Sequence, residues 1–200
     1  MSDNIDEKKG LFKVFRSRPN CSMGTLLVVG ITFGIVIWGG LNTGVEWTNR
    51  TEFCISCHEM TIPYEEFKKT VHFSNRSGTT LSCSDCHVAS SKHPFDYARK
   101  LTRKAVAARD VYGHIMGTVD TPEKFEAKRL EMAQREWKRM KEADSKECRN
   151  CHNFDTMDQS KQKKRSIVKH EEALEDKKTC IDCHKGIAHT KPKGADDDEG

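Results

Sequence analysis

Cys54-Ile55-Ser56-Cys57-His58, Cys83-Ser84-Asp85-Cys86-His87, Cys148-Arg149-Asn150-Cys151-His152 and Cys180-Ile181-Asp182-Cys183-His184 are four copies of one pattern, C-x-x-C-H. They use eight of the nine cysteines in a chain of 200 residues. The pattern attaches c-type haem: the two thiols bond to the porphyrin vinyl groups, and the adjacent histidine turns its imidazole onto the iron. Paired C-x-x-C segments also build zinc sites. A histidine directly after every second cysteine is not part of that zinc pattern and favours haem. The expectation is four covalently attached haem c groups, and hence an electron carrier.

The composition agrees. Hydrophobic residues make up 36% of the chain and aromatic residues 8%, against 32% charged. Part of that apolar content is concentrated near the N-terminus, so the remainder is too poor to bury a water-soluble core of its own. Four porphyrins would supply the missing apolar surface. The fold class expected is mostly α, with little regular structure beyond helices, and largely unfolded without its cofactor. The formal net charge is +4 with both signs interspersed, which argues against a nucleic-acid partner. The run Asp196-Asp197-Asp198-Glu199 reads as part of an acidic, solvated tail over 194–200.

From Met23 to Leu41 the chain carries no charged residue. Nineteen helical residues span about 28 Å, close to a bilayer's hydrocarbon thickness of about 30 Å. Lys8, Lys9, Lys13, Arg16 and Arg18 precede this stretch and Trp38 lies near its far end. The positive-inside rule then makes 1–22 a cytoplasmic segment, 23–41 a transmembrane anchor and 42–193 an exported, periplasmic haem domain. A cleaved signal peptide would have a shorter apolar region ending in an A-x-A-like site. Gly39-Gly40-Leu41-Asn42-Thr43-Gly44 offers none. Cys21 sits before the apolar stretch and reads as a free thiol without a special role. Glycines within the anchor would allow close helix packing, so a homodimer through it is one expectation.

The motifs fall into two pairs, starting 29 residues apart (Cys54, Cys83) and 32 residues apart (Cys148, Cys180), which suggests a duplicated two-haem unit. The spacer between the pairs reads as helix. Thr121-Pro122-Glu123 is a start signal, and Phe125, Met132, Ala133, Trp137 and Met140 then share one arc. That stripe is expected to pack on the haems. Tyr97 to Tyr112 lacks helix breakers and reads as a second helix.

Each motif histidine (His58, His87, His152, His184) offers one iron ligand. Second ligands must come from His72, His93, His114, His170 and His189, or from Met60 two residues past His58.

Taken together, C-I-S-C-H-E-M, V-H-F-S-N-R-S-G, C-S-D-C-H-V, R-D-V-Y-G-H, D-T-P-E-K-F-E-A, M-A-Q-R-E-W-K-R-M-K, C-R-N-C-H and C-I-D-C-H-K-G-I-A-H resemble the NapC/NirT family of membrane-anchored multihaem quinol dehydrogenases, over residues 20–193. The resemblance implies a mechanism. Menaquinol or ubiquinol from the membrane pool is oxidised at the haem nearest the bilayer, and electrons pass singly to a periplasmic reductase. It also implies ligands. Met60 would bind the first iron in place of His58, although His58 stays in contention. His72 would join His184 on the fourth iron, His189 would join His87 on the second, and His170 would join His152 on the third. His93 and His114 receive no role. For quinol it implies an acid, Asp110, and a lysine, Lys104. On a straight helix these two lie about 120° apart, whereas Arg103 shares the face of Asp110. Either the helix bends, or Arg103 takes the lysine's part, or only one of the two touches quinol. The D-T-P-E-K-F-E-A and M-A-Q-R-E-W segments favour the nitrate branch, implying the periplasmic nitrate reductase complex as partner. The alternatives are a nitrite or trimethylamine N-oxide reductase, or a haem relay with no quinol site.

Overall fold

The computed structural model describes residues 23–88 and 96–195. The 1–22 segment with Cys21, the His93 position and the acidic run at 196–199 lie outside the described residues. Every regular element described is helical, and no strand occurs among these residues.

Helix α1 spans Met23–Trp47. Its apolar part is long enough to cross a membrane, and none of that part is buried. Leu26, Val29, Phe33, Ile35, Val36 and Trp38 are all more than half exposed. A helix apolar on every side asks for lipid rather than water. The helix continues six residues past the expected end at Leu41, through Asn42, whose side-chain amide donates to the Trp38 carbonyl at 2.8 Å. Gly30 and Gly34 stand four residues apart on this helix with open space where a Cβ would sit. The described chain divides into two compact units at Val45/Glu46.

The second unit is built from short helices and two long ones. Its helices are α2 (Thr51–Cys54), α3 (Thr61–Phe67), α4 (Cys83–His87), α5 (Asp96–Ile115), α6 (Pro122–Glu142), α7 (Lys146–Arg149), α8 (Lys164–Glu175) and α9 (Cys180–Cys183). Three single 3₁₀ turns, among them His58–Met60, join them. Helix α6 starts where the sequence signals it. Thr121 Oγ1 accepts from the Lys124 amide at 3.3 Å and Pro122 occupies the first turn. Phe125, Met132, Ala133, Trp137 and Met140 all line one internal cavity, as their shared arc predicts. Helix α5 covers the stretch read as the second helix, extended by one residue at the start and three at the end.

Two short helices, α4 and α9, are motifs themselves, while α2 and α7 each lead into one, ending at Cys54 and one residue past Cys148. One helical turn sets cysteines i and i+3 on the same side and the histidine one turn from the first cysteine. In two motifs the turn is capped from within. Asp85 Oδ2 accepts from the Ser82 amide at 2.7 Å, and Asp182 Oδ2 accepts from the Thr179 amide at 2.8 Å. Both are capping boxes made from a residue inside C-x-x-C. Helix α4 packs on α2 and on α7, and α9 packs on α6. Motifs three and four are joined by Ser145, fully buried, whose Oγ accepts from the Ile181 amide at 3.1 Å.

Almost no protein core exists between these helices. The buried apolar residues described are Val45, Phe67, Val88, Phe125 and Ile181. In place of a core is a cavity of ≈ 1970 Å³. That is nearly twice the upper end of the roughly 300–1,000 Å³ of a pocket for one ordinary ligand.

Candidate haem centre

All eight motif cysteines line this cavity, and all eight are free thiols. Cys54 and Cys83 share a side-chain hydrogen bond, as do Cys148 and Cys180. The first cysteine of each motif therefore meets that of its sequence neighbour. The pairs read from spacing are pairs in space.

The histidines provide the sharper test of whether haem fits. Two imidazoles on one iron, each bonded at about 2.0–2.1 Å, hold their ring centres about 6 Å apart. Four histidine pairs have this separation: His58 and His114 at 5.9 Å, His87 and His189 at 6.2 Å, His72 and His152 at 6.3 Å, and His170 and His184 at 6.0 Å. Every motif histidine has one such counterpart, and no histidine serves twice. Six of the eight line the cavity; His58 and His114 do not. His58 is 61% exposed and His114 37%.

Two of these pairings differ from those the resemblance implies. The ring contacts set His72 against His152 and His170 against His184, so the third and fourth motifs exchange counterparts. The reason is chain path. His170 lies on α8, which leads within a few residues into the fourth motif on α9, whereas His72 follows α3 and must cross to the other pair. His114 is the residue that sequence reasoning left without a role. It sits at the last turn of α5 beside the first motif, with its ring nitrogen, Cys57 Sγ and a Glu59 oxygen within 4.8 Å of one another. Met60 lines the main cavity and is half-buried.

Several rings are aimed by a group on their Nδ1, which leaves Nε2 for a metal. His114 Nδ1 lies 2.7 Å from Glu59 Oε1, His87 Nδ1 3.2 Å from Glu136 Oε1, His170 Nδ1 2.8 Å from Gln162 Oε1 and His189 Nδ1 3.1 Å from the Pro63 carbonyl. Such outer contacts are the usual support of a ligating histidine. Burial lowers the pKa of His184, helped by His170 and His152, and lowers that of His189, helped by His87. Both are thereby kept as the neutral imidazoles that bind metal. His87 goes the other way. Burial pulls its pKa down, but Glu136 outweighs this and raises it. Burial likewise pushes the Glu136 carboxyl up, and hydrogen bonds from His87 and Arg139 override it to about 2. Arg139 reaches Glu136 at 2.7 Å and Glu147 at 2.9 Å, while Arg103 Nη2 donates to the His87 carbonyl at 3.0 Å. Cavity, thiols, paired rings and aimed nitrogens all fit four haem c groups.

Lys104 and Asp110 are both on α5 and both line the cavity, but they engage different elements. Lys104 Nζ donates to the Thr48 carbonyl at 2.5 Å and to Asn49 Oδ1 at 2.8 Å, and lies 5.7 Å from the centre of the Phe53 ring. Thr48 and Asn49 directly follow the last residue of α1. Burial lowers the Lys104 pKa. Asp110 faces α6, with Arg135 Nη2 4.0 Å away. Its side chain is 63% exposed, yet crowding by surrounding protein pushes its pKa up, opposed by Arg135. Arg103 turns instead to the His87 carbonyl and Glu136.

Comparison with known proteins agrees with this reading. The family model for the NapC/NirT cytochrome c family, N-terminal region, matches residues 16–194. The chain is 51% identical to the cytochrome c-type protein NapC of Escherichia coli K12, covering 94% of each. It is 50% identical to the denitrification system component NirT of Stutzerimonas stutzeri, covering 98% of this chain and 96% of that one. It is 47% identical to TorC of Escherichia coli K12, covering 88% of this chain but 44% of TorC. No solved structure matches. Four C-x-x-C-H motifs lining one coreless cavity, following an apolar helix in the sequence, thus identify a tetrahaem c-type cytochrome, and the chain belongs to the NapC/NirT cytochrome c family.

Proposed function

We propose that this protein oxidises a membrane quinol, menaquinol or ubiquinol, and delivers the electrons to a periplasmic reductase, with the nitrate reductase complex as the first candidate. The observation that carries the reading is the set of four histidine pairs, three of them lining one cavity and the fourth beside Cys57 and Glu59, beginning a few residues after an apolar helix. Haem c supplies one-electron chemistry at iron when bound; the chain's own residues do the rest.

In this reading His58 with His114, His87 with His189, His152 with His72, and His184 with His170 would hold the four irons. The cysteines Cys54, Cys57, Cys83, Cys86, Cys148, Cys151, Cys180 and Cys183 hold the porphyrins. Lys104 is tied to the residues that leave α1, which favours a quinol headgroup between Thr48, Phe53 and α5. Its ammonium would hold the quinol oxygen. The Asp110 carboxylate would take the hydroxyl proton and release it to the solvent it already faces. The homodimer remains part of the proposal, with Gly30 and Gly34 as the close-packing face of α1. The exported orientation follows from the basic residues before α1.

The relatives are named for different systems yet match at 51%, 50% and 47%. Identity therefore does not choose the reductase.

The test is anaerobic reduction of the purified protein by a menaquinol analogue, followed at the haem absorbance bands, then addition of periplasmic nitrate reductase and nitrate. Reduction, with reoxidation only when both additions are present, is expected. Reduction without reoxidation redirects the search to a nitrite or trimethylamine N-oxide system. Reduction by dithionite but not by quinol makes the protein a relay. Asp110→Asn should keep four haems and normal dithionite reduction while slowing quinol oxidation by about 10²-fold, the lower range for a lost general base. The sign with pH follows from the raised pKa. The active carboxylate accumulates as pH rises through a value above the ordinary carboxylate range. The wild-type rate should therefore climb over that window, which Arg135, Arg109 and His87 pull down and Glu136 pushes up, and the variant should lose the climb.

A further inference from the structure

The paired histidines differ in what holds their outer nitrogen. On the first two pairs it is a carboxylate: Glu59 on His114 at 2.7 Å and Glu136 on His87 at 3.2 Å. On the fourth it is a neutral amide oxygen, Gln162 on His170 at 2.8 Å. His189 has a peptide carbonyl, that of Pro63. Neither His72 nor His152 shows a carboxylate contact among the described residues, and the buried Nδ1 of His72 has no hydrogen-bond partner.

Both carboxylates are built in rather than incidental. The Glu59 side chain is 5% exposed, and its second oxygen is buried without a hydrogen bond. That second oxygen lies 3.7 Å from His58 Nε2. Glu136 is clamped by Arg139 through Nε at 2.9 Å and Nη2 at 2.7 Å, so its oxygen cannot rotate away from His87.

A carboxylate accepting the Nδ1 proton makes an imidazole a stronger electron donor through Nε2. A stronger donor favours ferric over ferrous iron and so lowers the reduction potential. A neutral amide or peptide oxygen does this less. We infer that Glu59 and Glu136 are positioning residues that hold down the potentials of the first two haems, giving the four-haem path a polarity that runs from the first pair of motifs to the second. The inference rests on the histidine pairing proposed above. Arg103 and Arg139 sit beside Glu136 and act in the opposite sense, and this sharpens the test. Removing the carboxylate charge both weakens the donor and leaves those cations less compensated, and each change raises the potential.

The test is a potentiometric titration of the four-haem protein, read by visible absorbance and by electron paramagnetic resonance. Glu136→Gln keeps an acceptor oxygen at the same reach. It should raise one midpoint by about 59 mV, which is a tenfold shift of a one-electron equilibrium. The low-spin signals and the other three midpoints should stay in place. Glu59→Gln should raise a different midpoint by a similar amount. Gln162→Glu should lower a third, and it carries the test if either glutamate variant fails to load four haems. Midpoints unmoved in Gln162→Glu and in the loaded glutamate variants, with all low-spin signals intact, would overturn the inference and leave the pairing standing. Failure of the pairing is read separately. His114→Ala and His189→Ala would then leave all four low-spin signals unchanged.

Discussion

His114 and Met60 compete for one iron, and the contest turns on geometry that no spacing rule contains. Met60 follows His58 by two residues, so a turn can bring its sulfur back toward the haem of its own motif. His114 is more than fifty residues away, yet its ring stands 5.9 Å from that of His58 and its Nδ1 is already occupied by Glu59. A ring so aimed costs little further ordering when the iron binds, whereas a flexible thioether must be fixed. Met60→Leu should therefore leave the first haem's ligand-field bands and spin state as they are. His114→Ala should convert one of the four haems from low spin to high spin. Near-infrared and electron paramagnetic resonance spectra separate the two, and the reverse pattern would return Met60 to the iron. Asp85 and Asp182 show the opposite kind of residue, readable in full from the sequence. Ser82-x-x-Asp85 and Thr179-x-x-Asp182 are local patterns, and the capping they signal is local too.

At the scale of elements, helix ends carry the legible information. Helix α6 begins at the Thr121-Pro122 signal and ends at Glu142, before a tight reversal through Asp144 and Ser145, both in the left-handed region at φ 51° and 45°. That reversal puts buried Ser145 under the third motif and against the fourth, and no glycine in the sequence announces it. A third left-handed residue closes α8. Lys177 has φ 53°, its amide reaches the Leu174 carbonyl at 3.3 Å, and the Lys178 amide reaches the Ala173 carbonyl at 2.8 Å. This is a Schellman closure with lysine where glycine is usual. A left-handed conformation costs an L-residue about 1–2 kcal/mol, part of which glycine gives back as chain entropy. Lys177→Gly should stabilise the haem-loaded protein by about 1 kcal/mol, raising its thermal midpoint by about 2–4 °C. An unchanged or lower midpoint would mean that the Lys177 side chain contributes more than its backbone costs.

Across the whole molecule, the haems must take the place of a hydrophobic core. The described residues of the second unit bury few apolar side chains, and the long helices turn their apolar arcs toward the cavity. Backbone ordering costs about 1–2 kcal/mol per residue, far more than those few side chains return. Replacing the motif cysteines with alanine, or producing the second unit without haem attachment, should therefore give a chain with little helical circular dichroism and rapid proteolysis. A cooperative, helical apo-form would show that the protein core suffices alone. The same dependence explains why α5 and α6 could be read from apolar periodicity while their packing could not: the surface they cover belongs to the cofactor.

From the sequence alone came four haem attachment sites, their grouping into two pairs, the anchor helix, and the starts of the long helices. Each depends on contacts within a few residues, where the chain's own stereochemistry leaves little choice. The tertiary structure decided which distant histidine faces which motif. It set the His72 ring against His152, the His170 ring against His184 and the His114 ring against His58, with Glu59 and Glu136 behind His114 and His87. A ligand across the iron is chosen by where helices cross. In a protein packed around its cofactors those crossings follow the shape of the cavity and leave no trace in residue spacing.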